Sequence, residues 1–425
     1  MRRDAGHDAY VPPPCPGGGS TTVSGVVRIP AGTLPVPGAT VYATNGFVDP
    51  IPTGVDGDSC LRCDGELTNV RGRPVLTDLD GSFTLEGVRP GENVPVVVQI
   101  GKWRRVAYVP QIVECEAHTL PAEATRLPRN SREGHLPRIA LTTGSCDGME
   151  CLLRKLGIDD SEFTNPEGPG RVNLYADTVC TTVPLIGEVC ESGRNRYSDA
   201  LGGQHFPSAS AFWSSLENLS AYDAVIHSCE CSETTDNKPP EAMEALREYA
   251  DLGGRAFLTH FHYAWLKHSP NMGWQQVATW NAGEMLDSAT GQIVTSFDRG
   301  MQLADWMMLP EVGGSTVHGS VALRQARQSA SGVGIGVQPW VRISDRPTYF
   351  SFDTPAYTLD EDTCGRVVFS DIHVSAGDQA QNDPFSGGSD PRFPDGCTDE
   401  ISPQEKALIY MLFDLTNCVG PPVLY

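Results

Sequence analysis

The amino-acid sequence predicts two domains: an N-terminal antiparallel β-sandwich and a C-terminal α/β domain with a flavodoxin-like parallel sheet and a β-rich insertion. The chain has 425 residues, more than the roughly 100–200 residues of one typical domain. Its first part consists of short β-branched segments separated by turn residues. After residue 137, apolar strand-like segments alternate with helix-like segments, which is typical of a parallel sheet covered on both faces.

These patterns also predict the boundaries. Residues 1–20 are rich in Pro and Gly and are expected to form a flexible tether. The sandwich is expected over residues 21–128, a polar linker over 129–136, and the α/β domain over 137–425. Within the α/β domain, the Gly-rich stretch 265–345 interrupts the alternation and is interpreted as an elaboration over one end of the sheet.

The sandwich prediction rests on the segments TVSGVVRIP, ATVYATN, SFTLEGV, VPVVVQIGKW and RRVAYVP. The runs SGVV, PVPGATV and LTDLDGSFTLEGVRPGENVPVVV resemble the carboxypeptidase regulatory-like (transthyretin-like) domain. That resemblance implies a seven-stranded sandwich that serves exported proteins as an accessory or adhesive module. The chain as a whole resembles myxobacterial proteins known only as carboxypeptidase regulatory-like domain-containing.

The α/β prediction rests on strands such as RIALTTG, RVNLYAD, YDAVIHSC, RAFLTHF and GRVVFSDIHVS. The helix between the third and fourth of these begins at Pro239-Pro240 and ends at Gly253-Gly254, the usual asymmetry of helix ends. The run from YDAVI to PPEAMEALREYADLGGRAFLTHF resembles the class I glutamine-amidotransferase-like superfamily, and within it the ThuA-like (trehalose-utilisation) branch. In the amidotransferases, the turn after this strand carries the catalytic cysteine. Here the turn reads Leu258 to Tyr263 without cysteine or serine, so glutaminase chemistry is not expected.

Charge and cysteine content restrict the function classes. A net charge of −22 repels phosphate backbones, so nucleic acid is not expected as a partner. Thirteen cysteines in loop-rich sequence favour several disulfides, and hence an extracytoplasmic protein that is secreted, periplasmic or at the cell surface, with a lipid anchor on its precursor as one option. Cys180–Cys190 and Cys397–Cys418 are plausible pairs, and an odd count leaves a free thiol or an intermolecular bond. No segment approaches the ~18 apolar residues of a membrane span, and residues 1–20 have no apolar signal-peptide core.

Candidate site residues follow the predicted parallel strands, where ligands of open α/β sheets bind. They are Ser145, Cys146 and Asp147 after the first strand, Cys229, Glu230 and Cys231 after the third, His260 and His262 after the fourth, and Asp371 and His373 after the last. In extended backbone His260 and His262 would share one face, and with Asp371 or His373 they could bind zinc or another divalent metal. The alternative is that they are half-buried histidines bonded to loop backbone.

Other features allow further chemistry. Cys229 with His373 could form a nucleophile–base pair, although Cys229 is more typical of a disulfide in this cysteine-rich chain. Asp78 and Asp80 could bind calcium, but a capped turn is the more usual role of such a motif. Trp265, Trp274, Trp280 and Trp306 could stack on carbohydrate or pack in the core.

Two functions follow as hypotheses. The first is an exported, disulfide-containing binding or structural protein of the cell surface, whose partners are other surface proteins or carbohydrate. The alternative is a hydrolase, metal-assisted and carbohydrate-directed, that uses His260, His262, Asp371 and His373, with Cys229 as a further candidate. The convergence of these side chains in the folded protein would favour the hydrolase.

Overall fold

A computed structural model describes most of the chain. It covers residues 14–17, 19–57, 60–61, 67, 69–144, 146–176, 206–281, 283–374, 393–394, 397 and 400–419, together with the backbone of 178–183 and 187–192. Most of the predicted tether, residues 1–20, therefore lies outside the described residues.

The N-terminal part is formed by two β-sheets. Its elements are β1 (Thr22–Val26), β2 (Thr40–Thr44), β3 (Val70–Leu76), β4 (Ser82–Glu86), β5 (Gly91–Ile100), β6 (Trp103–Ile112), β7 (Ala117–Thr119), α1 (Ala122–Thr125) and β8 (Gly134–His135). One sheet has the order β4-β1-β7 and the other the order β3-β2-β5-β6-β8. All pairs are antiparallel except β1 with β7, which run parallel.

Alternating apolar residues explain why these segments form a two-layered structure. In β4, Phe83 and Leu85 are buried while the residues beside them are not, which is the period of two of a strand with one face on a core. Val23 from β1 and Val96 from β5 belong to the same buried cluster. The two sheets therefore enclose one apolar layer between them.

The predicted linker, 129–136, contains ordered structure. Strand β8 pairs with β6, and Glu133 receives two hydrogen bonds from the Arg126 guanidinium, of 2.7 and 2.8 Å. The Ser131 backbone and hydroxyl both donate to Glu162, at 2.7 and 2.9 Å. This segment thus joins the two parts through fixed contacts.

The C-terminal part begins at β9. Its first elements are β9 (Ile139–Thr143), α2 (Met149–Leu156), β10 (Phe163–Thr164), β11 (Val172–Ala176), β12 (Thr178–Val183), β13 (Gly187–Ser192), α3 (Ala209–Phe212), α4 (Leu216–Ser220), β14 (Ala224–His227), α5 (Pro240–Asp251) and β15 (Arg255–Thr259). There follow α6 (Ala264–Lys267), α7 (Met272–Gln275), β16 (Ala278–Trp280), β17 (Met285–Ile293), α8 (Asp298–Met307), β18 (Ser320–Arg327), β19 (Ala330–Val333), β20 (Gln338–Ile343), β21 (Arg346–Thr354), β22 (Gly365–Ser370) and α9 (Pro403–Thr416). Single 3₁₀ turns span Asp160–Glu162, His260–Tyr263 and Asp360–Asp362.

A ten-stranded sheet organises this part, in the order β10-β11-β9-β14-β15-β22-β21-β20-β17-β18. The first six strands in this order, β10, β11, β9, β14, β15 and β22, are mutually parallel. Counted along the chain, β11, β9, β14, β15 and β22 have the order 2-1-3-4-5, a doubly wound order that places ligands beyond the carboxyl ends of its strands.

The sheet as a whole is mixed, so the predicted parallel sheet forms only one part of it. Strands β21, β20, β17 and β18 continue it beyond β22 in antiparallel pairing. The predicted elaboration, 265–345, supplies three of these four strands, so it widens the sheet instead of covering one end. Its sequence could not reveal this, because antiparallel pairing with a distant edge leaves no local pattern.

Local chemistry explains the helices that cover the sheet. Helix α5 begins with Pro240 at its first turn, where the missing N–H has no intrahelical acceptor to lose. Helix α9 begins with a capping box, in which Ser402 receives the Glu405 N–H and the Glu405 carboxylate receives the Ser402 N–H. Helix α5 matches its predicted position. Among the described residues, none of the helices is long and apolar enough to cross a bilayer.

Disulfides and a shared core hold the two parts together. The described disulfides are Cys15–Cys115, Cys60–Cys364, Cys146–Cys231 and Cys151–Cys397. The expected Cys397–Cys418 pair is therefore wrong, although Cys418 is also disulfide-bonded, and Cys180 lies opposite Cys190 in the β12–β13 hairpin. One apolar cluster runs from the sandwich into the α/β part without interruption.

Candidate active site

A polar cluster lies at the carboxyl ends of four adjacent parallel strands. Asp147 follows β9, Cys229 follows β14, His260 follows β15 and His373 follows β22. Because these strands are neighbours and parallel, their ends meet at one edge of the sheet. All four residues were among the candidates from the sequence, and the fold brings them to the same edge.

His260 occupies a sharp turn between a strand and a helix. It directly follows β15, opens a 3₁₀ turn and has a φ of 41°. A positive φ is uncommon for a residue with a side chain and is held only where the surrounding structure enforces it. The surrounding packing therefore holds the His260 imidazole at the tip of this turn, where it is 2% exposed.

Asp147 connects the two histidines of the cluster. The Nδ1 atom of His260 donates to its Oδ2 at 2.8 Å, and Nδ1 of His373 lies 3.0 Å from its Oδ1. The backbone N–H of Val374 donates to the same Oδ1 at 2.8 Å. Asp147 is fully buried, so every one of these donors replaces water around its charge.

Electrostatics make the Asp147–His260 pair ionic. Burial by itself would raise the pKa of Asp147, but the two histidines lower it far below the ordinary value. Burial would likewise lower the pKa of His260, but the Asp147 charge, its hydrogen bond and the nearby Cys229 raise it well above the ordinary value. The imidazole is therefore held as a cation against the carboxylate.

Cys229 is a free thiol and is buried, which corrects the expectation that it forms a disulfide. Its neighbour Cys231 is bonded to Cys146 instead, and the Cys231 N–H donates to the Cys229 sulfur at 3.4 Å. The imidazole that contacts this sulfur is His260, whereas the sequence suggested His373. The contact is electrostatic and not a fully formed hydrogen bond, because Nε2 of His260 has no partner with hydrogen-bond geometry.

His262 belongs to a different environment from His260. Its Nε2 donates to the Ser228 carbonyl at 2.7 Å, and its Nδ1 accepts the Trp265 indole N–H at 3.0 Å. The i, i+2 argument failed because residues 260–263 form a 3₁₀ turn and not extended backbone. Burial lowers the pKa of His262 to about 4, so it is neutral and its role is structural.

Asp371 also lies outside the cluster of converging ligand atoms. Its carboxylate accepts the Ser329 N–H at 2.7 Å and the Ser329 hydroxyl at 3.0 Å. Burial raises its pKa, while His260 and the Ser329 hydrogen bonds partly oppose the increase. Asp371 therefore fixes the β18–β19 connection beside the site.

A metal ion has one candidate position among the described residues. Ligand atoms of Asp147, His260 and His373 lie within 4.8 Å of one another. Two imidazoles and a carboxylate are the donors of catalytic zinc sites, which leave a fourth position open. Asp147 thus replaces His262 and Asp371 in the predicted set. At Asp80 the structure has the capped turn that was the more usual role of the Asp78–Asp80 motif: the carboxylate accepts the Ser82 N–H at 2.9 Å.

The tryptophans considered for carbohydrate contact are mainly packing residues. Trp265, Trp274 and Trp306 are at most 1% exposed. Trp280 is partly buried and stacks on Tyr263, with ring centroids 5.2 Å apart. Three of the four are therefore core residues, and the fourth packs against aromatic neighbours.

Sequence reasoning placed Asp147 at the correct edge but did not select it. Its signal was an acidic residue shortly after the first strand, a position that many loops share. What distinguishes it is the burial of its carboxylate and the two imidazoles on it, and both depend on the folded chain.

Fold and cluster together define a two-part protein, a β-sandwich joined to an α/β unit with a cysteine, a histidine and an aspartate at the carboxyl edge of its sheet. Among solved structures, the chain is similar to a cytoplasmic protein from Salmonella typhimurium, with a TM-score of 0.31 and 10% identity over 66% of this chain and 98% of that one. It is also similar to a ThuA-like protein from Bacteroides uniformis, with a TM-score of 0.32 and 10% identity over 65% of this chain and 90% of that one. No protein-family model and no curated protein matches the chain.

Proposed function

We propose that the protein is a hydrolase that acts by acyl transfer, with Cys229 as nucleophile, His260 as its base and Asp147 as the residue that orients His260. One observation carries the proposal: a free, buried thiol contacts an imidazole whose other nitrogen is hydrogen-bonded to a buried carboxylate. This is the order of roles in nucleophile–base–orienter triads, which are recognised by geometry and not by chain position.

The roles follow from the atoms. Asp147 holds the Nδ1–H of His260, so Nε2 is the nitrogen left to exchange a proton with the thiol. The sulfur of Cys229 forms a bond to the acyl carbon, and the bond from that carbon to the leaving oxygen or nitrogen breaks. His260 passes the thiol proton to the leaving group. Water then attacks the thioester, His260 takes its proton, and the acid and the thiol are released.

The environment of the thiol supports this reaction. The His260 imidazole lies beside the Cys229 sulfur, and the Cys231 N–H donates to the same sulfur at 3.4 Å, so the sulfur faces two N–H groups that can stabilise negative charge on it as it reacts. His373, whose side chain is 18% exposed, is the most accessible residue of the cluster, so a substrate would approach beside it.

Alkylation by iodoacetamide tests the thiol without knowledge of the substrate. In the native protein we expect Cys229 to be alkylated, and to react more slowly in His260→Asn and in Asp147→Asn, because each variant changes the imidazole beside the sulfur or the carboxylate that orients it. Peptide mass spectrometry identifies the labelled residue. His318→Asn is the matched control, because His318 forms an exposed pair with Asp305 elsewhere on the surface.

Activity gives the second test. Small aryl esters should be hydrolysed by the native protein, and Cys229→Ser should reduce the rate at least as strongly as His260→Asn. If Cys229 reacts only after unfolding, or if His260→Asn leaves its alkylation rate unchanged, the thiol is structural and the proposal is wrong.

A divalent metal at Asp147, His260 and His373 is the second candidate, because their ligand atoms converge. Such an ion would supply Lewis-acid chemistry to a hydrolase, and the mixed N/O donors suit zinc better than calcium. Zinc titration by calorimetry separates the two candidates: stoichiometric binding that Asp147→Asn and His373→Asn abolish, with no effect of Cys229→Ser, would favour the metal.

We also propose that the protein works outside the cytoplasm. Nine of the ten cysteines with described side chains are disulfide-bonded, and such bonds persist in oxidising compartments. A hydrolase of this kind would act at the cell surface or in the surrounding medium. Fractionation of the native cells, with the disulfides trapped by alkylation at lysis, tests this location.

A further inference from the structure

We infer that a cavity at the end of the sheet opposite the cysteine–histidine–aspartate cluster binds a neutral carbohydrate ring. The cavity has a volume of about 250 Å³, below the roughly 300–1,000 Å³ of drug-sized sites, which suits a single ring. It lies where β22 begins and β21 ends, whereas the cysteine–histidine–aspartate cluster follows the end of β22. It is therefore separate from the proposed hydrolase site and does not depend on it.

The floor of the cavity is a chain of ion pairs. Arg366 donates to both carboxylate oxygens of Asp353, at 2.6 and 3.1 Å, and to Asp414 at 2.9 Å. Asp414 also pairs with Arg299. Arg366 and Asp414 are about nine-tenths buried, while Asp353 and Arg299 keep about a quarter of their side chains exposed. Donors and acceptors thus alternate along the floor and remain partly accessible.

Aromatic rings form the wall and the rim. Phe297 and Trp340 pack edge to face, with ring centroids 5.0 Å apart, and the Trp340 indole N–H is already bonded to Ser351 at 2.9 Å. Tyr357 stands at the rim with about half of its surface exposed. Its φ is 64°, a genuine outlier for a bulky residue and of the kind found at ligand clamps.

These features together select the ligand class. Two arginines and three aspartates line the cavity. The four ion-paired residues neutralise one another, and the third aspartate, Asp360, has an interaction partner of its own, so an ionic ligand would have to break an existing interaction at a high cost. A polyhydroxylated ring can accept from the guanidinium groups and donate to the carboxylates while those pairs stay intact. Its C–H face can lie on the exposed Tyr357 ring, which combines an apolar surface with a polar hydroxyl.

Binding of defined sugars to the full chain tests the inference. The probes are D-glucose, D-galactose and N-acetyl-D-glucosamine, with D-glucuronate and D-glucosamine as charged comparators, measured by saturation-transfer NMR and calorimetry. We expect at least one neutral sugar to bind, and Tyr357→Ala to weaken it about tenfold, the effect of losing one aromatic contact. Tyr108→Ala is the matched control, because Tyr108 is an exposed ring on the sandwich, 60% accessible against 49% for Tyr357.

Three outcomes would overturn the inference: no neutral sugar binds, a charged comparator binds more tightly, or Tyr357→Ala has no more effect than Tyr108→Ala. Tyr357 is exposed, so its variant should keep the native melting temperature. Asp353→Asn provides a second variant of nearly unchanged shape, which should also weaken the sugar. Because Cys229→Ser should leave sugar binding intact, failure of this site and failure of the hydrolase are distinguishable.

Discussion

The ion pair between Lys238 and Glu230 provides a sharp test of how the nucleophile loop is held. The Lys238 ammonium lies 2.6 and 2.7 Å from the two carboxylate oxygens of Glu230, and both side chains are at most 2% exposed. The ammonium also faces the rings of Trp213 and Trp265, at 5.1 and 5.8 Å from their centroids. Glu230 directly follows Cys229, so this pair fixes the loop that carries the thiol.

The distances set the magnitude. At 2.6 Å and an effective dielectric constant of about 20, the Coulomb attraction is about 6 kcal/mol, and the desolvation of the two ions offsets most of it. Removal of one partner leaves the other as an uncompensated buried charge. We therefore expect Lys238→Met to lower the free energy of unfolding by about 3–5 kcal/mol. The double variant Lys238→Met/Glu230→Leu should recover much of that loss, because an apolar pair has no charge to desolvate.

Denaturant unfolding monitored by tryptophan fluorescence measures these losses, and the alkylation rate of Cys229 reports on its loop. Lys267→Met is the matched control: Lys267 pairs with Glu233 at 2.8 Å but is 36% exposed, so its loss should cost less than about 1 kcal/mol. The reasoning is refuted if Lys238→Met costs no more than this control, or if the double variant loses as much as the sum of the two single variants.

Three further predictions concern the surroundings of the thiol. His262 is neutral in the folded chain, with a pKa of about 4, whereas an unfolded histidine takes up a proton near pH 6.5. Its contribution to the free energy of unfolding should therefore fall by about 3 kcal/mol as the pH decreases from 6.5 to 4. The denaturation midpoint of His262→Gln should depend less on pH over that range than the midpoint of the native protein. Gly144→Ala would place a Cβ atom 1.9 Å from the Cys229 carbonyl oxygen, while the Cβ atom of Gly332→Ala would meet nothing within 4 Å. Calorimetry should show that Gly144→Ala lowers the free energy of unfolding by about 3 kcal/mol or more, and that Gly332→Ala leaves it almost unchanged. Cys146→Ser opens a disulfide between residues 85 apart in sequence, and should cost about 4 kcal/mol in denaturant unfolding; an unchanged midpoint would show that the unfolded chain gains no freedom from its loss.

The edge of the sheet was predictable from the sequence because it depends on strand direction alone. Parallel strands bring their carboxyl ends together, so the alternation of strands and helices was enough to assign His260 and His373 to one edge. Helix α5 was equally clear, since proline marks its first turn. These features follow from local patterns of a few residues.

The chemistry within that edge was less predictable because it depends on side-chain direction. His262 was assigned to the site on the assumption of extended backbone, and a single 3₁₀ turn moved it to the Ser228 carbonyl. Asp371 and Asp147 both follow strands of the sheet, yet only Asp147 lies within reach of the two imidazoles. The disulfide pairing around Cys229 was likewise not predictable from local sequence. Cys231 is bonded to Cys146, which is distant in sequence, and Cys229 is left as a free thiol.

The continuity between the sandwich and the α/β part has a mechanical consequence. Trp103 of the sandwich packs against Phe413 of α9, with ring centroids 5.8 Å apart, and Cys60 is bonded to Cys364 beside the start of β22. The sandwich is therefore linked to the middle of the large sheet by a disulfide and by apolar packing, and both would resist a force that pulls the two parts apart. We therefore expect reduction of the Cys60–Cys364 bond to make the sandwich easier to separate from the α/β part.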